Sequence, residues 1–304
     1  MIEYGNPALT SGVRECWRKS FTMEDPHYTE YFFRAVYKPE YGIVDTEDGK
    51  AAASLIRIPH EMMFNGRILA VSFLSHAATL PECRGKGYMN RLMDTAVDIC
   101  SHHELLTFIQ TNDPEPWRKW GFEPVMNRVG YTLNREDVKR ITNFGCAYEP
   151  SPVDMLKVYS YFIRRFNGFM IRDLEYFVRY KKEIASRGGK IVAYYDARNH
   201  IQGYAVILLK GREASIEECV YLDSMSLNKL INAALQERRT ITVHVSPAEN
   251  LSLIFPQAVK KEEPFLSARL NDPVLFSRLY GTKAQNVQDV FAMSRKPLNM
   301  NETV

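Results

Sequence analysis

Arg84-Gly85-Lys86-Gly87 stands between an apolar run, Phe73 to Thr79, and a segment of helical spacing that begins at Tyr88. The order reads as strand, turn and helix. A helix start leaves four backbone N–H groups without an acceptor inside the helix, and the helix dipole adds partial positive charge at that end. Arg84 and Lys86 add full charges, while Gly85 and Gly87 let the main chain bend or approach a ligand with no Cβ in the way. Residues of these types in this order can hold a pyrophosphate. Two better-known phosphate loops are excluded. Gly85-Lys86 is followed by Gly87-Tyr88 and not by Ser or Thr, which rules out a Walker loop, and the third glycine of a dinucleotide fingerprint is missing.

The elements around the loop follow from patterning. Pro7 to Phe21 and Pro26 to Tyr37 read as amphipathic helices, the second dense in aromatic residues that either line a pocket lip or pack a core. Tyr41 to Asp45, the turn Glu47-Asp48-Gly49 and Ala51 to Ile58 predict a hairpin, and Phe64-Asn65-Gly66-Arg67 turns the chain into Ile68 to Thr79. The helix after the loop runs over Tyr88 to Ser101, and Leu105 to Thr111 is a further strand beside Ile68–Thr79. From about Tyr148 the pattern begins again: helices over 152–166 and 173–186, strands over 191–196, 202–209 and 215–221, a helix over 224–238 and a strand over 240–245. At the second strand-to-helix junction Tyr221-Leu222-Asp223-Ser224 replaces the basic loop, and Asp223 would repel a phosphate.

With 304 residues the length fits about two domains. A content of 45% hydrophobic and 25% charged residues is that of an ordinary globular protein. A net charge of +3 from 39 basic and 36 acidic residues is too balanced for a nucleic-acid-binding face. Five scattered cysteines without C-x-x-C spacing indicate neither a zinc site nor a disulfide framework, so no metal is expected and a reducing cytoplasm fits. No stretch reaches the roughly eighteen apolar residues of a membrane span.

Arg84-Gly85-Lys86-Gly87-Tyr88-Met89, preceded by a strand and Pro81, resembles the coenzyme A loop of the GNAT acetyltransferases; Met89 departs from the usual small last residue. Trp117-Arg118-Lys119-Trp120-Gly121-Phe122 resembles that family's Tyr-x-x-Phe-Gly-Phe segment. Ala78-Thr79-Leu80-Pro81-Glu82-Cys83-Arg84-Gly85-Lys86-Gly87-Tyr88-Met89 is close to the pattern of the narrower enhanced-intracellular-survival (Eis-like) group, in which Met is regular, with Gly203-Tyr204 and Glu217-Glu218 carrying the likeness into the second half. The resemblance implies an α+β fold of two tandem GNAT-like domains, mixed sheets flanked by helices, the second degenerate. The expected boundaries are 1–146 for the domain with the loop, 147–262 for the second, and 263–304 for a short remnant of a sterol-carrier-like domain with a polar tail. It further implies acetyl-CoA as co-substrate, a small-molecule amine or a lysine as acceptor, and a homo-oligomer, trimer or hexamer. In this fold two adjacent strands splay, and the pantetheine arm adds to the exposed strand edge, here at Ala77, Ala78 and Thr79.

For chemistry, the acceptor amine must lose a proton and the leaving thiolate must gain one. The family's acid is a Tyr where this chain has Trp117, which cannot donate at neutral pH; Tyr88 and Tyr131 are the nearby alternatives. The family's base is the C-terminal carboxylate, here Val304. His76, next to the expected cofactor edge, is a second candidate, or else a packed core histidine. Asn112 either bonds the cofactor arm or caps the following turn. Two functions stand side by side: an acetyl-CoA-dependent N-acetyltransferase, or an acyl-CoA-binding regulatory protein that kept the loop and lost the acid.

Overall fold

A computed structural model describes residues 1–302. The chain forms two compact units, the first from Met1–Met126 and Pro264–Arg295 with Glu302, the second from Asn127–Glu263 and Lys296–Asn301. Among the described residues no helix is long and apolar enough to cross a membrane.

The first unit opens with β1 (Ile2–Tyr4), α1 (Thr10–Ser20), α2 (Pro26–Ala35), β2 (Gly42–Glu47), β3 (Lys50–Phe64), β4 (Arg67–Thr79), α3 (Tyr88–His103) and β5 (Leu106–Gln110). β1 to β4 are antiparallel neighbours in chain order. Their hairpins turn at Asp48-Gly49 and Asn65-Gly66, all four residues at positive φ, which matches the right-handed twist of the flanking strands. α3 crosses over so that β5 lies parallel to β4. Alternation along the strands sorts side chains to two faces. Ile43 and Leu55 pack with Leu92, Met93 and Ala96 of α3, whereas Val44 and Ile56 pack with Val13 and Trp17 of α1 and Phe32 of α2.

In the second unit, β6 (Glu123–Asn134) contributes its last residues from Val129, followed by β7 (Cys146–Tyr148), α4 (Pro152–Phe162), β8 (Gly168–Met170), α5 (Leu174–Ser186), β9 (Lys190–Tyr195), β10 (Ile201–Lys210), β11 (Glu213–Tyr221), α6 (Ser224–Glu237) and β12 (Thr240–Val245). The strands lie in the order β6-β12-β11-β10-β9-β7, all antiparallel except β11 and β12. A parallel pair joined by a crossover helix, β11-α6-β12, thus repeats β4-α3-β5. The α+β architecture with mixed sheets flanked by helices is the one the loop resemblance implied.

The segment after 263 is not a separate remnant. β13 (Val259–Leu270) pairs through Leu266–Leu270 antiparallel with β5, and α7 (Pro273–Tyr280) and α8 (Val287–Ala292) pack in the first unit, where Phe276 is fully buried. An apolar strand beside the otherwise open edge of β5 finds its hydrogen bonds there. The division near residue 126, in place of 146, has the same cause: from Val129 onward β6 is paired with β12. The polar stretch 296–301 docks on the second unit. Asn167 N donates to Pro297 O (3.0 Å), Asn299 N to Gly168 O (2.8 Å), Ser246 Oγ to Leu298 O (2.9 Å) and Asn301 Nδ2 to Glu217 O (2.7 Å).

Candidate active site

The loop folds as its residues predict. A 3-10 turn over Pro81–Cys83 leads into Gly85 and Gly87, at φ +78° and +80°, and Gly87 is the left-handed N-cap of α3. A Cβ added to Gly85 would meet nothing within 4 Å, and one on Gly87 only the tip of Arg91, so open space lies over both. The first helical bond runs from Arg91 N to Gly87 O (3.3 Å), leaving the amides of Tyr88, Met89 and Asn90 with no acceptor inside the helix. Arg91 braces the loop. Its Nη1 donates to Lys86 O (3.3 Å), its Nε to the buried Asp45 carboxylate (2.7 Å), and its guanidinium lies over the Tyr88 ring. Lys86 Nζ meets both Glu47 carboxylate oxygens, at 3.0 and 3.2 Å, which lowers the pKa of Glu47 and raises that of Lys86. Arg84 Nε and Ser20 Oγ both donate to Thr79 O.

These residues surround a cleft of about 430 Å³ lined by Ser20 and Phe21 at the end of α1, Ala77 to Thr79 of β4, and the loop and helix start from Cys83 to Asn90, Lys86 excepted. Amide donors, positive charge and clearance over two glycines suit a diphosphate.

β4 supplies the other half of the site. It pairs with β5 only at Val71–Leu106, Ser72–Thr107 and Phe73–Phe108. Beyond Phe73 the strands part, and β4 continues to Thr79 with its β5-facing edge outside the ladder. On its other side the register with β3 jumps from Ser75–Ile56 to Ala78–Ser54, so His76 and Ala77 stand opposite Leu55 alone. This β-bulge puts His76 at φ +49°, a conformation a non-glycine residue keeps only when its surroundings fix it.

The surroundings do fix it. The His76 imidazole stacks on Trp17 with centroids 3.4 Å apart, and Phe21 meets it edge-on at 5.2 Å. Nδ1 is bonded to Ser75 Oγ, and Nε2 lies 3.3 Å from Glu24 Oε1. Trp17 Nε1 donates to the other Glu24 oxygen at 2.5 Å. The His76 side chain is 7% exposed, so it is packed, next to Ala77 and Ala78 of the cleft wall, with Glu24 at 31% the reachable member of the group.

Other expected residues lie elsewhere. Tyr88 borders the cleft, but its hydroxyl is bonded to Glu47, and burial with that carboxylate raises its pKa, which makes it a poorer acid. Tyr131 is 1% exposed in the core of the second unit and is not among the residues that line this cleft. Trp117 packs beside Trp120 against the α3 core and does not border the cleft. Asn112 is exposed at the end of β5 and does not cap the next turn, where Asp113 Oδ1 accepts from Glu115 N (3.4 Å). Val304 lies outside the described residues. Sequence reasoning missed Ser20, Phe21, Cys83 and Asn90 on the wall, Arg91 and Glu47 behind the loop, and the link from Glu24 to His76. Arg91 sits one helical turn beyond Gly87, a spacing that could have marked it; nothing local marks the others.

Residues 2–125 match the family model described as an acetyltransferase (GNAT) domain. No curated protein matches the chain. Among solved structures, a conserved protein of unknown function from Enterococcus faecalis aligns with 17% identity and a TM-score of 0.75, covering 90% of this chain and 72% of its own. A GCN5-related N-acetyltransferase from Anabaena variabilis aligns with 15% identity and a TM-score of 0.74, covering 90% and 73%. Eis1 from Mycobacterium abscessus aligns with 12% identity and a TM-score of 0.68, covering 93% and 76%. At these identities the structures speak to the fold alone. That fold is shared along most of the chain, and the family model falls on the part that carries the loop: residues 2–125 are similar to a GNAT acetyltransferase domain, and the chain has a fold like that of Eis1 from Mycobacterium abscessus.

Proposed function

We propose that the protein is an N-acetyltransferase that moves the acetyl group of acetyl-CoA directly to the amine of a small molecule or of a lysine side chain. The observation that carries this reading is the conjunction at the cleft: amides at the start of α3 with no acceptor in the helix, two glycines with open space above them, and the end of β4 all border one cavity. The Arg84–Asn90 segment would take the diphosphate, with Arg91 holding the Lys86 carbonyl. The unladdered edge of β4 around Ala77 and Ala78 would accept the pantetheine amides and hold the thioester still, and positioning of this kind lowers a bimolecular barrier substantially. The resemblance adds a cytoplasmic homo-oligomer, trimer or hexamer, to this reading.

The acyl-CoA-binding regulatory protein is the second reading. It is favoured by Trp117 where the family has its acid and by Tyr88 being tied to Glu47. Calorimetry with acetyl-CoA, run beside thiol release with spermidine, histamine, tyramine and Nα-acetyl-lysine amide as acceptors, separates the two. Tight binding with turnover supports the transferase. Binding without turnover of any acceptor supports the regulator, and no binding overturns both.

A further inference from the structure

Both ring nitrogens of His76 are engaged, so neither is open to an incoming amine. A carboxylate only accepts hydrogen bonds, so the contact between Nε2 and Glu24 Oε1 assigns the ring proton to Nε2. Nδ1 is bonded to the Ser75 hydroxyl. The ring is clamped in that orientation between Trp17 and Phe21 and is 7% exposed. The basic oxygen in this array belongs to Glu24.

We propose that Glu24 is the general base that accepts the proton of the incoming amine, with His76 and Trp17 as positioning residues that aim its carboxylate. The proposal rests on the acetyl-transfer reading of the cleft. Three observations converge on Glu24. It holds two N–H donors, one on each oxygen, from Trp17 and His76. Its backbone N donates to Phe21 O (3.2 Å), and Phe21 is itself a wall of the cleft, so the Glu24 backbone lies one turn from that wall, and its side chain is 31% exposed. And the histidine that orients it sits at the bulge of β4, next to Ala77 and Ala78, which border the same cleft.

The step balances as follows. An ammonium acceptor gives one proton to Glu24, and its freed lone pair forms the C–N bond to the acetyl carbon. The C–S bond breaks, its electron pair leaves on sulfur, and a second proton from the attacking nitrogen ends on that sulfur. Glu24 then returns its proton to solvent. Neither His76 nor Trp17 changes protonation. A cationic acceptor is favoured, since the carboxylate both attracts it and discharges it.

The test uses the full chain and whichever acceptor of the four the wild-type protein acetylates fastest. Glu24→Gln keeps an oxygen for Trp17 and removes the base; kcat/KM for the amine is expected to fall by about 10²-fold, the ordinary worth of a positioned base, with acetyl-CoA affinity by calorimetry unchanged. Glu24→Ala is expected to fall as far and to regain activity with added formate, which a purely structural role would not allow. His76→Asn should lower activity without rescue by formate. Full activity in Glu24→Gln, or a Glu24→Ala protein that formate leaves inert, overturns the assignment while leaving acetyl transfer intact. A wild-type protein that binds acetyl-CoA but acetylates none of the four overturns the transfer reading, and the role of Glu24 with it.

Discussion

Phe73 and Phe108 stack with ring centroids 5.3 Å apart at the last register pair that β4 and β5 share. Both are essentially buried, at 1% and 0% exposure. They form the vertex from which the two strands diverge, and everything the cleft needs from β4 lies beyond it. Phe108→Ala should therefore cost about 3–5 kcal/mol, the usual penalty for deleting a buried phenyl ring. Chemical denaturation should show an earlier midpoint, and Phe108→Leu a smaller shift.

Gly87 gives a different kind of change. An alanine there must hold φ near +80°, at a cost of roughly 1 kcal/mol, and its methyl group would stand in the space over the loop. Gly87→Ala is expected to weaken acetyl-CoA binding by about tenfold or more while shifting thermal stability only slightly. Calorimetry and a thermal melt of the same sample check both halves. A variant with unaltered affinity would mean that the cofactor does not approach this loop.

The second unit carries an acid-sensitive group. Burial, with the nearby Arg128 charge, lowers the His244 pKa from 6.5 to about 4, Glu217 opposing. The unfolded chain therefore binds the proton more readily than the folded one. Stability is complete above the unfolded value and declines as pH falls from about 6.5 toward 4, by about 2 kcal/mol between pH 6.5 and 5. Glu217 adds a second window further down, because Arg128 and Ser215 outweigh its desolvation and hold it at about 2. Denaturation at pH 7 and pH 5 should show the first loss in the wild type and little of it in His244→Gln.

The docked tail makes a fourth prediction. β11 and β12 pair as far as Ile216–Val243 and then part, as β4 and β5 do, but here Asn299 and Asn301 border the small space between Glu218–Val220 and His244–Ser246. Removing residues 297–304 should expose the end of β11 and speed amide exchange across 217–221. Unchanged exchange would show that the tail contributes nothing to that edge.

Local sequence determined a good deal. Asp48-Gly49 and Asn65-Gly66 dictated their turns because few other residues tolerate positive φ, and period-two apolar strands flanking them set the hairpins. Arg84 to Met89 read as an anion-binding loop because donors, charge and glycines are adjacent in the chain, and the turn they form is written in their order. The rest needed three dimensions. Glu24 and His76 are distant in sequence, and their contact depends on a bulge that no local residue type demands. β13 reaches β5 from the far end of the chain because an open edge satisfies its hydrogen bonds, a long-range pairing that neither strand encodes alone. Tyr131 looked like a proton donor by its position in the chain and proved to be core, because the later part of β6 is paired with β12. The sequence determined which donors, charges and glycines the loop carries; only the tertiary structure decided that Glu24, Trp17 and His76 meet at the bulge of β4.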